Sequence, residues 1–306
     1  MAKVALICGA AGFIGSYATR AFKGAGWKVT GAGRSTRSTA VCPLNDVRYS
    51  QGDLREADFV AEVLRIEVPD QIVFAAGPSN VQSSFDDPAG DFEAQALPLL
   101  RMLDAARRLP RLPRFLLVSS AAVYGNPSQI PITETGVLAP ISPYGFHKLH
   151  QERLLDEFAA LYGLPTCKAR IFSTYGIGLR RLAVWDITCR VMRGESRLRG
   201  KGQESRDYLN ICDVANALQI VASCGKFEGE AINVASGDEV TIEQLARSIN
   251  RAVDKNVDPI FDGEELAGSP IRWRANVDVL AALGFARKIP LTAGLAETVE
   301  WIKRSA

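Results

Sequence analysis

Tyr144 and Lys148 are the two residues whose types and spacing most directly suggest chemistry. If both lie on one helix, their i,i+4 spacing places the phenol and the ammonium on one face, one turn apart. A free tyrosine ionises near ~10, but a cation held nearby favours the phenolate and lowers the pKa of the phenol. Tyr144 is therefore a candidate acid or base, although such a pair also arises by chance on exposed helices.

A glycine-rich turn near the N-terminus gives this pair its context. The turn Gly9-Ala10-Ala11-Gly12-Phe13-Ile14-Gly15 follows the apolar run Val4–Cys8, which has the length and character of a strand buried on both faces. Glycines let the backbone approach a pyrophosphate, and a helix starting near Phe13 would point its N–H groups and positive dipole end at the phosphates. The spacing is G-x-x-G-x-x-G rather than the commoner G-x-G-x-x-G.

Together these residues resemble the extended short-chain dehydrogenase/reductase family, the group of nucleotide-sugar epimerases, dehydratases and reductases. Its two signatures are G-x-x-G-x-x-G and Y-x-x-x-K, and the likeness runs nearly from end to end. The further matching segments follow in the family's order: Gly52-Asp53-Leu54, Phe74-Ala75-Ala76, Val118–Gly125, Arg170–Gly176, Arg206-Asp207-Tyr208 and Asn233–Gly237.

The resemblance implies roles for particular residues. Ser120, rather than Ser119, is the third catalytic group and polarises the substrate oxygen, while Tyr144 moves the proton and Lys148 holds the ribose. The implied cofactor contacts, beyond the glycine-rich turn, Tyr144 and Lys148, are Asp53, Leu54, Ala75, Ala76 and Gly77. The implied substrate contacts are Ser120, Tyr144, Ser173, where relatives often have Asn, and Arg206, a diphosphate-gripping arginine. Arg272 or Arg274 would add a second charge, with surface ion pairs as the alternative for all three arginines.

The choice of cofactor depends on the end of the second strand, which we predict at Lys28–Gly33. NAD-preferring relatives place an acidic residue there, whereas this chain has Gly33 followed by Arg34, Ser35, Thr36 and Arg37. A carboxylate would repel a 2′-phosphate, whereas a guanidinium binds it bidentately and a hydroxyl adds a donor. The sequence favours NADP, with NAD as the alternative and a solvated basic loop as the structural explanation.

The residues after Ser120 narrow the reaction. Family dehydratases carry Asp-Glu directly after the catalytic Ser or Thr, but this chain has Ala121 and Ala122. What remains is hydride transfer at a sugar carbonyl or carbinol. We predict an NADP-dependent reductase of a nucleoside-diphosphate 4-keto sugar. The alternatives are an NAD-dependent nucleotide-sugar 4-epimerase and, in another class, a non-catalytic dinucleotide-binding redox sensor.

Apolar runs of strand length alternate with helical stretches, which predicts an α/β fold with a doubly wound Rossmann-type parallel sheet. The predicted strands and helices are Gln71–Ala75, Arg114–Ser119 and Pro165–Ile171, and Ala57–Ile66, Phe92–Arg108 and His147–Leu161. By resemblance, residues 1–171 form the dinucleotide-binding domain with some later segments interleaved, and residues 172–306 form mainly a smaller C-terminal lobe that binds substrate.

The composition of the 306 residues limits the partners. Thirty-six basic residues against thirty-four acidic ones leave a net charge of +2, and 47% of residues are hydrophobic. This balance gives no footprint for nucleic acid or a membrane surface. The six cysteines lack C-x-x-C and metal spacing, so we expect reduced thiols, no metal and a cytoplasmic protein. We expect no targeting segment, because the first apolar run is short and leads into the phosphate turn.

The resemblance also implies a homodimer, formed through the helix that carries Tyr144 and Lys148 and the helix before it. Apolar side chains suited to such a four-helix contact are Leu99, Leu100, Met102, Leu103, Leu149, Leu154, Leu155 and Phe158. The alternative is that these side chains pack against the sheet of their own chain.

Overall fold

The computed structural model describes residues 2–255, 258–264 and 267–305. The strands, in chain order, are β1 (Val4–Cys8), β2 (Lys28–Gly33), β3 (Arg48–Gln51), β4 (Gln71–Phe74), β5 (Arg114–Ser120), β6 (Thr166–Ile171), β7 (Ser173–Tyr175), β8 (Arg197–Leu198), β9 (Ser205–Arg206), β10 (Tyr208–Asn210), β11 (Glu228–Val234), β12 (Val240–Thr241) and β13 (Ile260–Phe261). The α-helices are α1 (Phe13–Gly24), α2 (Ala57–Glu67), α3 (Val81–Asp86), α4 (Pro88–Ala106), α5 (Pro143–Tyr162), α6 (Leu182–Met192), α7 (Ile211–Cys224), α8 (Ile242–Val253), α9 (Asp278–Ala282) and α10 (Leu291–Ser305). Short 3₁₀ turns lie at Arg37–Thr39 and Ala121–Tyr124.

Seven parallel strands of the described chain form the central sheet, in the order β11-β6-β5-β4-β1-β2-β3. Strands β4 and β6 are buried at every residue, as expected when helices cover both faces of a parallel sheet. One face packs against α1 and α7, and the other packs against α2, α4 and α5. The predicted Rossmann-type doubly wound fold is confirmed, and the second strand has the predicted bounds.

Local capping explains where the two helices beside the site begin. Helix α5 starts at Pro143 because the Ser142 hydroxyl accepts a hydrogen bond from the Gly145 amide at 3.1 Å. It ends at Gly163, whose φ of +67° suits a residue without a Cβ. Helix α4 starts earlier than predicted, at Pro88, because Asp87 accepts a hydrogen bond from Gly90 at 2.9 Å.

The apolar residues proposed for a two-fold contact lie mainly inside the chain's own core, which corrects that part of the prediction. Leu99, Met102, Leu103 and Leu155 are fully buried against the sheet, and Phe158 is nearly so. Leu154 and Leu149 are partly buried against neighbouring clusters. Leu100 alone of the eight side chains is exposed, at 38%. The helices bury apolar residues against their own sheet first, and the sequence pattern did not separate the two faces.

The part of the chain after residue 171 builds a second core and also returns to the sheet. Helices α6, α8 and α10 pack around a cluster that includes Tyr175 and Tyr208. We call this region the C-terminal lobe. Strand β11 pairs with β6 and completes the central sheet, and α7 packs on α1. Asp207 joins the lobe to the sheet by accepting hydrogen bonds from Ser236, Gly237 and Ala275.

The described residues hold no candidate membrane span and no candidate metal site. No helix there is long and apolar enough to cross a membrane. No group of three or more His, Cys, Asp or Glu residues within the described ranges is arranged to hold a metal ion. All six cysteines are free thiols.

Candidate active site

The three predicted catalytic residues meet at the carboxyl end of β5. Ser120 is the last residue of that strand, and Tyr144 and Lys148 lie in the first turns of α5. The Ser120 hydroxyl is close enough to the Tyr144 phenol to help lower the pKa of that phenol. The Lys148 ammonium lies 5.9 Å from the centre of the Tyr144 ring. Sharing a helix therefore places the phenol and the ammonium side by side, as the spacing predicted.

Burial, rather than the neighbouring lysine, dominates the ionisation of Tyr144. Desolvation raises the pKa of the phenol to about 12, although the hydrogen bond from Ser120 and the charge of Arg181 oppose the shift. The expected lowering of this pKa is therefore wrong for the protein without cofactor. Desolvation likewise lowers the pKa of Lys148 to about 8, against the charges of Asp91 and Glu152. At neutral pH, Tyr144 holds its proton and can donate it.

Two acceptors surround the Lys148 ammonium. It donates to the side-chain oxygen of Gln151 at 3.0 Å and more weakly to the carbonyl of Val118 at 3.4 Å. The Gln151 amide in turn donates to the carbonyl of Gln95, on α4, at 2.6 Å. The sequence analysis did not single out Gln151, although it lies three residues beyond Lys148 and so on an adjacent part of the same helix face.

A buried ion pair joins α5 to β6 next to the site. Glu152 accepts two hydrogen bonds from Arg170, at 3.0 and 2.8 Å, and a third from the hydroxyl of Ser119 at 2.6 Å. Arg170 also donates to the Tyr124 hydroxyl at 2.9 Å, which donates to Asn233 on β11 at 2.7 Å. The sequence analysis missed Glu152. Its position four residues after Lys148 continues the Tyr-x-x-x-Lys series and was the available signal.

A second buried pair joins α4 to α5 beside the site. His147 Nδ1 lies 2.5 Å from a carboxylate oxygen of Asp91, and both residues are buried. Nothing in the sequence pattern indicated this pair, because the two residues come from separate helices. Tyr144 is anchored nearby, where its backbone amide donates to the Ser84 hydroxyl at 3.0 Å.

The glycine-rich turn has the close packing that a phosphate-binding backbone needs. Gly9 has φ +82°, and a Cβ on it would come within 2.9 Å of the Ala75 carbonyl oxygen. A Cβ on Gly15 would lie 2.1 Å from the Gly9 oxygen, so neither position admits a side chain. Helix α1 begins after Gly12 with no side-chain cap on its amides. These N–H groups are directed toward the place where a pyrophosphate would lie.

The end of β2 carries no carboxylate. Gly33 is buried, and Arg34, Ser35 and Arg37 are exposed. Within the described residues, the Arg34 guanidinium has no hydrogen-bond or ion-pair partner, although its charge helps to lower the pKa of Asp53. Arg37 is different, because its guanidinium donates to a backbone carbonyl at Leu44. Of the two arginines, Arg34 is thus the one whose side chain is available to a ligand.

Tyr49 holds the backbone at this strand end. Its hydroxyl lies 3.1 Å from the Gly33 carbonyl oxygen and 2.7 Å from that of Ser35. A Cβ added to Gly33 would lie 3.2 Å from the same hydroxyl. A side chain at position 33 would therefore require the Tyr49 hydroxyl to shift.

The remaining predicted cofactor residues lie at the same edge of the sheet. Asp53 accepts hydrogen bonds from the Arg55 guanidinium at 3.0 and 2.8 Å, which holds the pKa of the Asp53 carboxyl below its usual range. Leu54 is buried. The segment Ala75-Ala76-Gly77 follows β4, and the side-chain oxygen of Gln95 is buried beside Gly77 without a described hydrogen-bond partner.

Arg206 has neutral partners in the structure. Its guanidinium donates to the carbonyls of Ser205 and Pro270, both at 2.7 Å, and to the Ser269 hydroxyl at 2.5 Å. It lies 5.7 Å from the centre of the Trp273 ring and makes no ion pair with a described carboxylate. Arg206 therefore forms no surface ion pair with a described carboxylate, and the charge of Glu204 acts on its guanidinium only through space.

The other three predicted substrate-side residues differ from one another. Arg272 forms the predicted surface ion pair, with two hydrogen bonds to Glu239 at 2.7 and 2.8 Å. Arg274 donates to the Gly237 carbonyl at 3.0 Å instead. Ser173 is half-buried at the start of β7, where its amide donates to the Asp207 carbonyl at 3.0 Å. Arg272 is thus engaged, whereas the Ser173 hydroxyl has no described partner.

Comparisons with known proteins agree with this geometry. The family model for GDP-mannose 4,6 dehydratase matches residues 6–278. The chain belongs to this family. The GDP-mannose 4,6 dehydratase family falls within the extended short-chain dehydrogenase/reductase group, so the resemblance inferred from the motifs is confirmed.

Individual relatives of this family member cover nearly the whole chain. The dTDP-glucose 4,6-dehydratase of Streptomyces niveus is 28% identical over 313 residues, covering 97% of this chain and 92% of that protein. The UDP-glucose 4-epimerase of Mycolicibacterium smegmatis is 27% identical, with coverages of 98% and 99%. The structure of a Thermus thermophilus UDP-glucose 4-epimerase in complex with NAD has a TM-score of 0.88 and 25% identity, covering 99% and 100%. The family member described here is an NAD(P)-dependent enzyme of this group, which favours catalysis over the redox-sensor alternative.

Proposed function

We propose that the protein is an NADP-dependent reductase of a nucleoside-diphosphate 4-keto sugar. The observation that supports NADP is the end of β2, where a buried glycine takes the position of an acidic residue and the exposed Arg34 guanidinium has no described partner. A carboxylate there would repel a 2′-phosphate, whereas a free guanidinium pairs with it. Reduction as the particular reaction, and a 4-keto sugar nucleotide as the particular substrate, belong to this proposal.

The three catalytic side chains act on the sugar carbonyl in this proposal. A bound reduced nicotinamide supplies the hydride. Ser120 donates a hydrogen bond to the carbonyl oxygen, and Tyr144 transfers its proton to that oxygen as negative charge develops. The high pKa of Tyr144 supports the reducing direction, because the phenol carries a proton at neutral pH. Lys148 contacts the cofactor ribose and keeps a positive charge beside the phenol.

The turn after Ser120 argues against dehydration. Ala121 is fully buried and Ala122 is half-buried in the 3₁₀ turn that the Ser120 hydroxyl caps, accepting from the Ala122 amide at 3.2 Å. Dehydratase relatives need an acid and a base there, and two methyl groups supply neither. We therefore propose a reaction that transfers hydride without removing water, even though relatives of the chain carry dehydratase names.

The experiment measures turnover and cofactor preference together. A reductase should oxidise one NADPH for each 4-keto sugar nucleotide reduced, and its affinity for NADPH should exceed that for NADH. Arg34→Gln should lower NADPH affinity about tenfold, or about 1.4 kcal/mol, and leave NADH affinity unchanged. Arg37→Gln is the matched control, because its guanidinium is already held by Leu44. Equal affinity of the wild type for the two cofactors would discard the NADP assignment.

An NAD-dependent nucleotide-sugar 4-epimerase is the second candidate. It is supported by relatives with that activity in their names, which cover nearly the whole chain at 23–27% identity. The same three side chains would first oxidise and then reduce one carbon. An epimerase interconverts two sugar nucleotides with no net consumption of cofactor, so stoichiometric NADPH oxidation separates the two candidates.

We also propose that the enzyme is a homodimer and cytoplasmic. Support for the dimer comes from exposed apolar side chains on α4 and α5, namely Phe92 at 44%, Leu100 at 38% and Phe146 at 48%. We propose that these exposed side chains, and not the buried leucines, form the two-fold contact. Sedimentation of wild type and Phe146→Ser would test this, since only the wild type should dimerise at micromolar concentration. Six free thiols suit a reducing compartment.

A further inference from the structure

Gln151 occupies an unusual place between the two helices of the site. It is fully buried, and its carboxamide uses both ends. The oxygen accepts from the Lys148 ammonium at 3.0 Å, while the nitrogen donates to the Gln95 carbonyl at 2.6 Å. Since Gln95 donates onward to the Pro78 carbonyl at 2.8 Å, a chain of hydrogen bonds joins the ammonium to the segment that follows β4.

The nearby carboxylates do not compete for this ammonium. Asp91 is bonded to His147, and Glu152 is bonded to Arg170 and Ser119. Both act on Lys148 only through space. Among the described residues, Gln151 is thus the side chain that hydrogen-bonds the ammonium, and the other contact is the long one to the backbone at Val118.

We propose that Gln151 is a positioning residue: its carboxamide holds the Lys148 ammonium, charged and correctly directed, for the cofactor. The inference rests on the function proposed above. A buried ammonium that loses an acceptor is left with an unsatisfied donor, which favours the neutral amine. The Gln151 carboxamide is itself held by its hydrogen bond to the Gln95 carbonyl on α4. The Gln151 side chain therefore cannot rotate and carry the ammonium away from the site.

The pH dependence of cofactor binding reports this role. The charged and titratable groups near Lys148 come from α4, α5 and β6, and none of them is altered in the variants below. Asp91 and Glu152 act on the ammonium through space. Their bonded partners are His147 and Arg170, the Tyr144 ring lies beside the ammonium, and Arg181 acts on Tyr144. The wild-type ammonium titrates with a pKa of about 8, so NADPH binding should weaken above that pH. Loss of the Gln151 acceptor should move this weakening to lower pH.

The experiment measures the dissociation constant of NADPH by fluorescence from pH 6 to pH 10, with kcat/KM for the 4-keto sugar nucleotide in parallel. Gln151→Met keeps the volume and removes both polar ends. Gln151→Asn keeps the amide but is one methylene too short to join both partners, and it serves if the methionine variant folds poorly. Gln219→Met, on the exposed side of α7, is the matched control.

We call the alkaline range over which NADPH binding weakens the alkaline limb. We expect both Gln151 variants to move this limb to lower pH by about one unit. At a given pH on the limb, NADPH then binds about tenfold more weakly, which equals about 1.4 kcal/mol. Gln219→Met should leave the limb in place. A Gln151 variant that binds more weakly by the same factor at every pH, with an unmoved limb, would show a merely structural role and overturn the inference. If the wild type binds NADPH but never reduces a keto sugar, the proposed function fails while the shifted binding limb still stands.

Discussion

Replacing Lys148 with methionine should abolish turnover and, at neutral pH, make the protein more stable. The two side chains have similar volume, and Lys148 is buried in the core beside Tyr144. Its pKa is lowered to about 8 from 10.5, mainly because burial disfavours the charge. The buried cation therefore lowers the stability of the folded protein, although the site needs it.

The sign and size of the effect follow from the two pKa values. Below pH 8 the lysine is charged in both states, and the cost to the folded state is about 3 kcal/mol. Between pH 8 and 10.5 the unfolded chain binds more protons, so the stability of the wild type rises with pH. Methionine removes this cost but leaves the Gln151 oxygen without its donor, a loss of about 1–2 kcal/mol.

Lys148→Met should thus be about 1–2 kcal/mol more stable than the wild type at pH 7 and less stable above pH 10.5. Urea unfolding of both cofactor-free proteins at the two pH values measures the difference. Lys168→Met is the matched control. Lys168 is also buried, but it is paired with Asp156 and donates to the Gly229 carbonyl at 2.9 Å, so its replacement should destabilise at neutral pH. A stability difference between Lys148→Met and wild type that does not change with pH would refute the reasoning.

Four further substitutions test the site. Tyr144→Phe should remove hydride transfer and leave the NADPH dissociation constant nearly unchanged, since only the proton-carrying hydroxyl is lost; an undiminished rate would mean the site is misplaced. Ser120→Ala should lower kcat on the order of 10²-fold, the usual scale for one lost oxyanion donor, as steady-state kinetics would show. Gly33→Asp alone should gain little NADH affinity, because its Cβ meets the Tyr49 hydroxyl at 3.2 Å. Adding Tyr49→Phe should raise NADH affinity and lower NADPH affinity in paired titrations, and a double variant that still prefers NADPH would contradict this.

Features determined by local pattern were predictable from the sequence. Strand β2 has the predicted bounds, and every residue after Lys28 is buried, as in a parallel strand covered on both faces. Tyr144 and Lys148 share a helix face because helical period alone decides it. The glycine-rich turn was recognisable because close backbone approach excludes a Cβ at Gly9 and Gly15.

Features determined by tertiary packing were not predictable. The pKa of Tyr144 depends on how completely neighbouring elements remove water, and this outweighed the lysine one turn away. Leu99 and Leu103 of α4 pack against the sheet. An apolar residue on a helix has the same sequence pattern whether its own sheet or a partner buries it, so the sequence could not show this. Two of the three partners of Arg206, the Ser269 hydroxyl and the Pro270 carbonyl, lie far away in the sequence.

Strand β6 has a consequence for how the chain is made. All six of its residues are buried, and it lies between β5 and β11. Synthesis reaches β6 with Ser120, Tyr144 and Lys148 already made, but its second neighbour begins only at Glu228. Until then a growing chain on the ribosome leaves one edge of β6 unpaired, and an unpaired strand edge can pair with other chains. Translation must therefore run well past the last catalytic residue before β6 has both of its neighbours, and a chaperone that binds extended segments would meet the strand in that interval.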